Sequence, residues 1–161
     1  MRIGVIADTH GVLHPRVADV FAGVDHIVHA GDVGGAHVLQ ALRAIAPVTA
    51  VAGNNDDADG YALARFGRIL VTHILPRPSK PGKHVLAALK EERPEVVVYG
   101  HSHLPHNEVV AGIRYFNPAS AGPRRFDYPV SVGILEDGRT YHIALDERSV
   151  AALQKRMNQM R

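Results

Sequence analysis

Length, composition and charge exclude several classes of protein. The chain has 161 residues, 46% of them hydrophobic, which predicts one domain over residues 1–161 with a sizeable core. No apolar run is long enough to span a bilayer, and the absence of cysteine excludes disulfides and thiolate metal sites. A net charge of +2 with only short basic pairs predicts no dedicated nucleic-acid groove, and we expect a cytoplasmic protein with no membrane partner.

The first half of the chain alternates predicted strands and helices. Short runs rich in Ile and Val predict strands, and apolar positions at helical spacing predict the helices between them. Strands are predicted over residues 2–7, 26–30 and 48–52, with helices over 15–21 and 36–45. This βαβαβ order predicts a parallel sheet with right-handed crossovers.

The second half is richer in β-structure. A hairpin over residues 61–66 and 68–72 turns at Gly67, a helix over 81–92 is ended by Pro94, and a buried strand follows over 95–99. Further strands are predicted over 106–111, 113–117, 130–135 and 140–145, and an amphipathic helix over 147–160. We predict an α/β domain whose sheets pack face to face with the helices outside.

Five short segments place polar or metal-ligating residues directly after a predicted strand. They are Asp8-Thr9-His10, Gly31-Asp32, Gly53-Asn54-Asn55-Asp56, His73 and Gly100-His101-Ser102-His103. Ligand sites in α/β sheets form outside the carboxyl ends of strands. The five segments can therefore converge, although they lie far apart in the sequence.

The residue types in these segments favour metal binding. Asp8 and His10 are two positions apart, as are His101 and His103, and in extended backbone such residues point to the same side. Carboxylate, imidazole and amide ligands suit manganese, iron, zinc or nickel. Seven candidate ligands are too many for one tetrahedral ion, but they suit two ions that share a carboxylate.

Each segment also has a simpler interpretation when it is taken alone. Gly-Asp and Gly-Asn are turn signals, and a single histidine at a strand end is more often packed than metal-bound. The order and position of all five together favour the metal site. The remaining histidines lack such neighbours and are predicted to pack or to lie at the surface: His14, His26, His29, His37, His84, His106 and His142.

At these segments the sequence resembles the calcineurin-like metallophosphoesterases, and in particular their small single-domain bacterial and archaeal phosphodiesterases. The resemblance implies a four-layer sandwich of two mixed β-sheets flanked by helices. It implies one ion on Asp8, His10, Asp32 and His103, and a second on Asp32, Asn54, His73 and His101. Asp32 would bridge the ions, which are manganese foremost, with nickel, iron, zinc or magnesium as alternatives. Hydroxide activated between the ions would attack phosphorus.

The sequence departs from this family pattern at two places. Many relatives carry a histidine where this chain has Asn55; an amide can contact a phosphate oxygen but cannot protonate the leaving group, a step typically worth roughly 10²–10⁴-fold. We therefore assign Asn55, with Asp32, to catalysis and expect activated esters to be preferred. His73 is followed by Ile74-Leu75-Pro76, without the further histidine that can belong to the metal shell of relatives.

Two further residues are candidates for the site, and three functions are compatible with the sequence. Asp56 either orients a ligand or caps its loop, and Arg124 either reaches substrate phosphate or is a surface residue. A phosphodiesterase is favoured; a phosphomonoesterase with the same metals and a non-catalytic scaffold are the alternatives, and the filled ligand set argues against the scaffold. The expected substrate is a small phosphate ester, with a nucleotide derivative and a homo-oligomer left open, and residues 75–82 are predicted to influence specificity.

Overall fold

The computed structural model describes residues 1–160, so Arg161, the last residue of the predicted domain, lies outside it. Ten strands and four helices follow one another along the chain. In chain order they are β1 (Arg2–Ile6), α1 (Arg16–Val20), β2 (His26–His29), α2 (Ala36–Arg43), β3 (Val48–Ala50), β4 (Leu63–Phe66), β5 (Ile69–Thr72), α3 (Lys83–Glu92), β6 (Val96–Val98), β7 (Pro105–Val110), β8 (Ile113–Pro118), β9 (Ser131–Glu136), β10 (Arg139–Ala144) and α4 (Glu147–Gln159).

The strands form two mixed five-stranded sheets. The first has the order β10-β9-β1-β2-β3, and the second has the order β4-β5-β6-β8-β7. In the first sheet β1, β2 and β3 are parallel, whereas β9 is antiparallel to β1 and β10. In the second sheet β5, β6 and β8 are parallel, and β4 and β7 are antiparallel edge strands. The expected pair of mixed sheets is confirmed.

Alternation along the strands explains how the layers stack. Val5 of β1 points into the space between the sheets, where it joins Val28, Val71 and Phe116, while its neighbour Ile6 points to the opposite face. That outer face packs against α1 and α2, and the outer face of the second sheet packs against α3. The four-layer order of helices, sheet, sheet and helix is therefore confirmed.

The predicted elements are all present, and most strands stop one or two residues early. β1 ends at Ile6, β2 at His29 and β3 at Ala50, and left-handed residues follow closely after the first two strands, at Asp8 and Gly31. The parallel register pairs Ile6 with His29, so the carboxyl ends of β1 and β2 are level. No helix within residues 1–160 is long and apolar enough to cross a membrane.

Candidate metal centre

Backbone hydrogen bonds hold the ligand-bearing loops against one another. In the first sheet, Asp8 N donates to Gly31 O over 3.0 Å, and His10 N donates to Asp32 O over 2.9 Å. In the second sheet, Gly100 N donates to His73 O over 3.1 Å. The His73 ring joins the two sheets, because its Nδ1 lies 2.7 Å from Ala30 O. Loops from both sheets therefore meet at a common edge.

Most of the predicted ligands have left-handed backbone, which the sequence did not indicate. The φ angles of the five are 54° for Asp8, 49° for His10, 53° for Asp32, 72° for His101 and 62° for His103. Such conformations cost about 1–3 kcal/mol each for residues other than glycine and cluster at functional sites. The expected extended geometry is wrong. His101 and His103 also point to different partners, because His103 faces His10 and Asp8 while His101 faces Asn54.

One group of ligand atoms is formed by Asp8, His10 and His103, which lie within 4.8 Å of one another. His10 Nε2 is 3.2 Å from His103 Nε2, which is 3.6 Å from Asp8 Oδ1. That oxygen is buried and accepts no hydrogen bond among the described residues. Burial and the neighbouring Asp32 raise the pKa of Asp8 well above its ordinary value. A cation would satisfy this oxygen and stabilise its charge.

A second group contains Asp8, Asp32 and His73, with Asn54 and His101 beside it. His73 Nε2 lies 3.3 Å from Asp32 Oδ2 and 3.0 Å from Asn54 Oδ1. His101 Nδ1 lies 3.2 Å from the same Asn54 oxygen. The seven predicted ligands are thus brought together in one place, in two adjoining groups.

The tautomer of His73 decides what its ring can bind. Nδ1 donates to Ala30 O, so the neutral ring presents a lone pair at Nε2, and burial lowers the pKa of this histidine. That lone pair faces the oxygens of Asp32, Asn54 and, at 3.9 Å, Asp8. Lone pairs directed at one another repel, whereas a divalent cation between them is bound by all of them. The residues present therefore fit metal ions.

Asp32 lies between the two groups. Its Oδ2 is 3.7 Å from His10 Nε2 and 3.3 Å from His73 Nε2. Asn55 donates to both of its oxygens, from N over 2.9 Å and from Nδ2 over 2.8 Å. Burial alone would raise the pKa of Asp32, but the hydrogen bonds from Asn55 keep it below its ordinary value. Asp32 is thus held as an anion between the two groups of ligand atoms.

Close approach explains the glycines that precede two of the ligands. Gly31 has a φ of 97°, and a Cβ there would lie 2.7 Å from His73 Nδ1. A Cβ on Gly53 would clash with the carboxylate of Asp32. Any larger residue at either position would push the ligands apart.

Asp56 connects two of the ligand loops through their backbones. Its carboxylate accepts hydrogen bonds from Val33 N, Gly34 N and Gly53 N over 2.9–3.0 Å. Burial would raise the pKa of Asp56, but these three bonds lower it overall. Asp56 therefore fixes the loop after β2, which carries Asp32, to the loop after β3, which carries Asn54.

The two neighbouring arginines have different surroundings in the structure. Arg124 donates to Asp146 Oδ2 over 2.6 Å and to Tyr128 O over 3.2 Å, so its guanidinium is already paired. Arg125 is exposed, and its charge adds to burial in lowering the pKa of His103 to about 4. It also opposes the rise in the pKa of Asp8. Substrate contact by Arg124 stays a prediction, and the only sequence signal for Arg125 is the Arg-Arg pair itself.

A buried histidine outside the ligand set supports the same loops. His29 Nδ1 accepts from Gly31 N over 3.1 Å, so its Nε2 donates to Thr9 Oγ1 over 2.9 Å. Thr9 Oγ1 then donates to Val33 O over 2.8 Å. Burial lowers the pKa of His29 to about 3. The chain of bonds connects the loops after β1 and β2 beneath the metal centre.

The other predicted non-ligand histidines have packing or surface roles. His26 stacks on Phe66 with ring centroids 3.6 Å apart, and His142 lies 4.5 Å from Phe116. His84 donates to Ile74 O over 3.0 Å, which secures the segment after His73. Residues 75–82 turn back on themselves through a bridge between Arg77 and Lys80, and their influence on specificity stays a prediction.

Comparisons with known proteins agree with this geometry. The calcineurin-like phosphoesterase superfamily domain matches residues 1–138. The phosphodiesterase YfcE of Escherichia coli is 31% identical, over 94% of this chain and 96% of its own. The solved structure of E. coli YfcE matches with a TM-score of 0.67 at 27% identity, over 92% of this chain and 96% of its own. A probable metallophosphoesterase of Methanocaldococcus jannaschii is 34% identical over 74% of this chain and 68% of its own. A Zn²⁺ complex of Vps29 from Entamoeba histolytica shares the fold at 21% identity, a TM-score of 0.64 and coverage of 91% and 100%.

Proposed function

We propose that this chain, which belongs to the calcineurin-like phosphoesterase superfamily and is therefore a phosphoesterase, hydrolyses small phosphate diesters at a dinuclear metal site. The observation that carries the proposal is the meeting of two ligand groups at Asp32, whose Oδ2 lies within 3.7 Å of a histidine from each. The E. coli relative is named a phosphodiesterase, which favours diesters among phosphate esters.

Each ion would take four ligands from this chain. Asp8, His10, Asp32 and His103 would hold one, and Asp32, Asn54, His73 and His101 the other. Two divalent cations supply Lewis acidity to the phosphate and lower the pKa of water at neutral pH. The mixture of carboxylate, imidazole and amide ligands suits manganese, with iron, zinc, nickel or magnesium as alternatives.

Two side chains near the proposed ions would interact with the phosphate oxygens. Asn55 Nδ2, which donates to Asp32 Oδ2 over 2.8 Å, is placed to turn its amide toward a phosphate oxygen. Arg125 contributes positive charge beside His103 and Asp8, where negative charge develops on the phosphate oxygens. Neither group can protonate a departing alkoxide at neutral pH.

Leaving-group dependence follows from this missing proton donor. With one alcohol fixed, turnover should fall steeply as the pKa of the departing alcohol rises, because the alkoxide leaves unprotonated. Asn55→His should flatten this dependence and raise turnover of alkyl leaving groups by about tenfold or more. Steady-state rates on a series of aryl and alkyl diesters provide the measurement. Equal cleavage of alkyl and aryl esters, with chemistry rate-limiting, would contradict the role given to Asn55.

The activity itself is tested by removing bound metal from the protein and reloading it with Mn²⁺. Hydrolysis of bis(4-nitrophenyl) phosphate is then measured beside hydrolysis of 4-nitrophenyl phosphate. We expect diester turnover that a chelator abolishes. Asp32→Asn should lower it by at least about 10²-fold, since removing one key electrostatic group typically costs that much. Asp137→Asn, in the exposed turn between β9 and β10, is the matched control. Turnover of the monoester alone would replace the proposal with a phosphomonoesterase, and turnover of neither substrate with two bound ions would favour a scaffold.

A further inference from the structure

An open cleft adjoins the metal centre beyond Asn55. It has a volume of about 600 Å³ and lies between α2 and the loop after β3, within the 300–1,000 Å³ range of organic ligand sites. β3 is the edge strand of its sheet, so no further strand covers this side. Neither the sequence motifs nor the ligand set accounts for the cleft.

Asn55 makes the cleft continuous with the reaction site. Asn55 is one of the residues that line the cleft, and its side chain donates to Asp32 Oδ2 over 2.8 Å. A phosphate held at the two ligand groups would therefore place one of its organic substituents at the mouth of the cleft.

The lining selects the chemistry of that substituent. Its floor is apolar and includes Leu39 and Val51, while Gly34 and Gly35 present backbone without side chains. Such surfaces suit a flat ring, which packs well against small residues and peptide planes. The cleft is also too large to be filled by a methyl or a glyceryl group.

The charges in the cleft further limit which organic substituents can bind there. Among the described residues that line the cleft, the charged ones are Asp56 and Asp57. Asp56 already accepts three backbone hydrogen bonds, whereas Asp57 is exposed. Carboxylates repel a second anionic group but accept hydrogen bonds from hydroxyl and amino groups. The cleft therefore suits a neutral substituent with a flat apolar face and a hydrogen-bonding edge.

We propose that this cleft binds the nucleoside portion of a nucleotide-derived phosphodiester. The proposal rests on the proposed function for the position of the phosphate, and it adds the substrate class. Nucleosides combine a flat base, which the apolar floor and glycine backbone would cover, with hydroxyl and amino groups for Asp57 and Asn55. Terminal phosphates on the same substituent would be rejected.

Binding tests the cleft without depending on catalysis. We expect adenosine, added to metal-free ¹⁵N-labelled protein, to shift the amide resonances of Gly34, Gly35 and Leu39. Ala36→Leu adds an aliphatic side chain at the wall of the cleft and should weaken adenosine binding by about tenfold, as extra methylene groups in an apolar pocket do. Ala41→Leu, at an exposed position of α2 outside the lining, should bind like the parent. Unshifted cleft amides, or equal affinities for the two variants, would overturn the proposal.

Measurements of turnover then distinguish the proposed nucleoside site from the proposed diester hydrolysis. On the Mn²⁺-loaded enzyme, a nucleoside 4-nitrophenyl phosphate is compared with methyl 4-nitrophenyl phosphate, which has the same leaving group. Ala36→Leu should lower kcat/KM for the nucleoside ester about tenfold more than for the methyl ester, and equal losses would count against the cleft. If adenosine binds in the cleft but no diester is hydrolysed, diester hydrolysis is wrong while the nucleoside site stands.

Discussion

At the scale of single residues, we predict that the positive charge of Arg125 acts on the candidate metal centre, whereas Arg124, which is paired with Asp146, stabilises the fold. We expect Arg125→Ala to lower kcat/KM by roughly 10–100-fold, mostly through KM, since hydrogen bonds to charged groups contribute about 1.5–3 kcal/mol. Arg124→Ala should instead lower the free energy of unfolding, because it removes the pair with Asp146 at the start of α4. Steady-state kinetics and urea unfolding of both variants provide the test. A larger kinetic loss in Arg124→Ala would reverse the two roles.

His29 gives the metal-free protein a pH-dependent stability. Its pKa is about 3 in the folded state and about 6.5 in the unfolded chain. The unfolded state therefore takes up a proton first as the pH falls, so stability is full above about pH 6.5 and is lost between there and pH 3. One such group contributes up to about 1.4 kcal/mol per pH unit, and other buried histidines add to the slope.

Replacing His29 tests this assignment. Urea unfolding between pH 7 and pH 4 should show a flatter dependence for His29→Gln than for the parent, by up to one proton. If the variant folds poorly, the His29 ring resonances of the parent give the same information and should not titrate above about pH 4. An unchanged slope, or a ring that titrates near neutrality, would contradict the assignment.

At the scale of elements, Asp56 ties the loop after β2 to the loop after β3. Asp56→Asn replaces one acceptor oxygen with a donor that faces a backbone N–H, which should cost about 1–3 kcal/mol of stability. The loosened loops should also weaken metal binding by about 10–100-fold, as losses of residues that orient ligands do. Denaturation and competitive metal titration measure the two effects, and Asp57→Asn is the matched neighbour. A stable variant with the parent's metal affinity would show that Asp56 does not position the loops.

The positions of the strands and helices could largely be predicted from the sequence, whereas the backbone conformations of the ligand residues could not. Short runs rich in Ile and Val and apolar residues at helical spacing indicated the strands and helices, because burial leaves a direct pattern in the sequence. Left-handed φ at Asp8, His10, Asp32, His101 and His103 leaves no such pattern, since only glycine prefers that region by itself. These conformations are fixed by tertiary hydrogen bonds between loops. The pairing of Arg124 with Asp146 is also a tertiary contact, which the sequence does not reveal.

At the scale of the whole molecule, both sheets are needed to build the centre. The first sheet supplies Asp8, His10, Asp32 and Asn54, and the second supplies His73, His101 and His103, from strands that run parallel in each sheet. The sequence order of the segments predicted this convergence. The cleft beside Asn55 could not be foreseen, because its volume depends on how α2 packs against β3.

The bridging role of Asp32 is the central claim, and metal content measures it most directly. After reloading with Mn²⁺, the parent should bind two ions per chain, and their electron paramagnetic resonance spectrum should show exchange coupling, since ions in such sites lie roughly 3.5–4 Å apart. Asp32→Asn should bind fewer ions or lose the coupling, while Asp137→Asn should match the parent. A parent with one ion per chain, or an Asp32→Asn variant that keeps two coupled ions, would contradict the account.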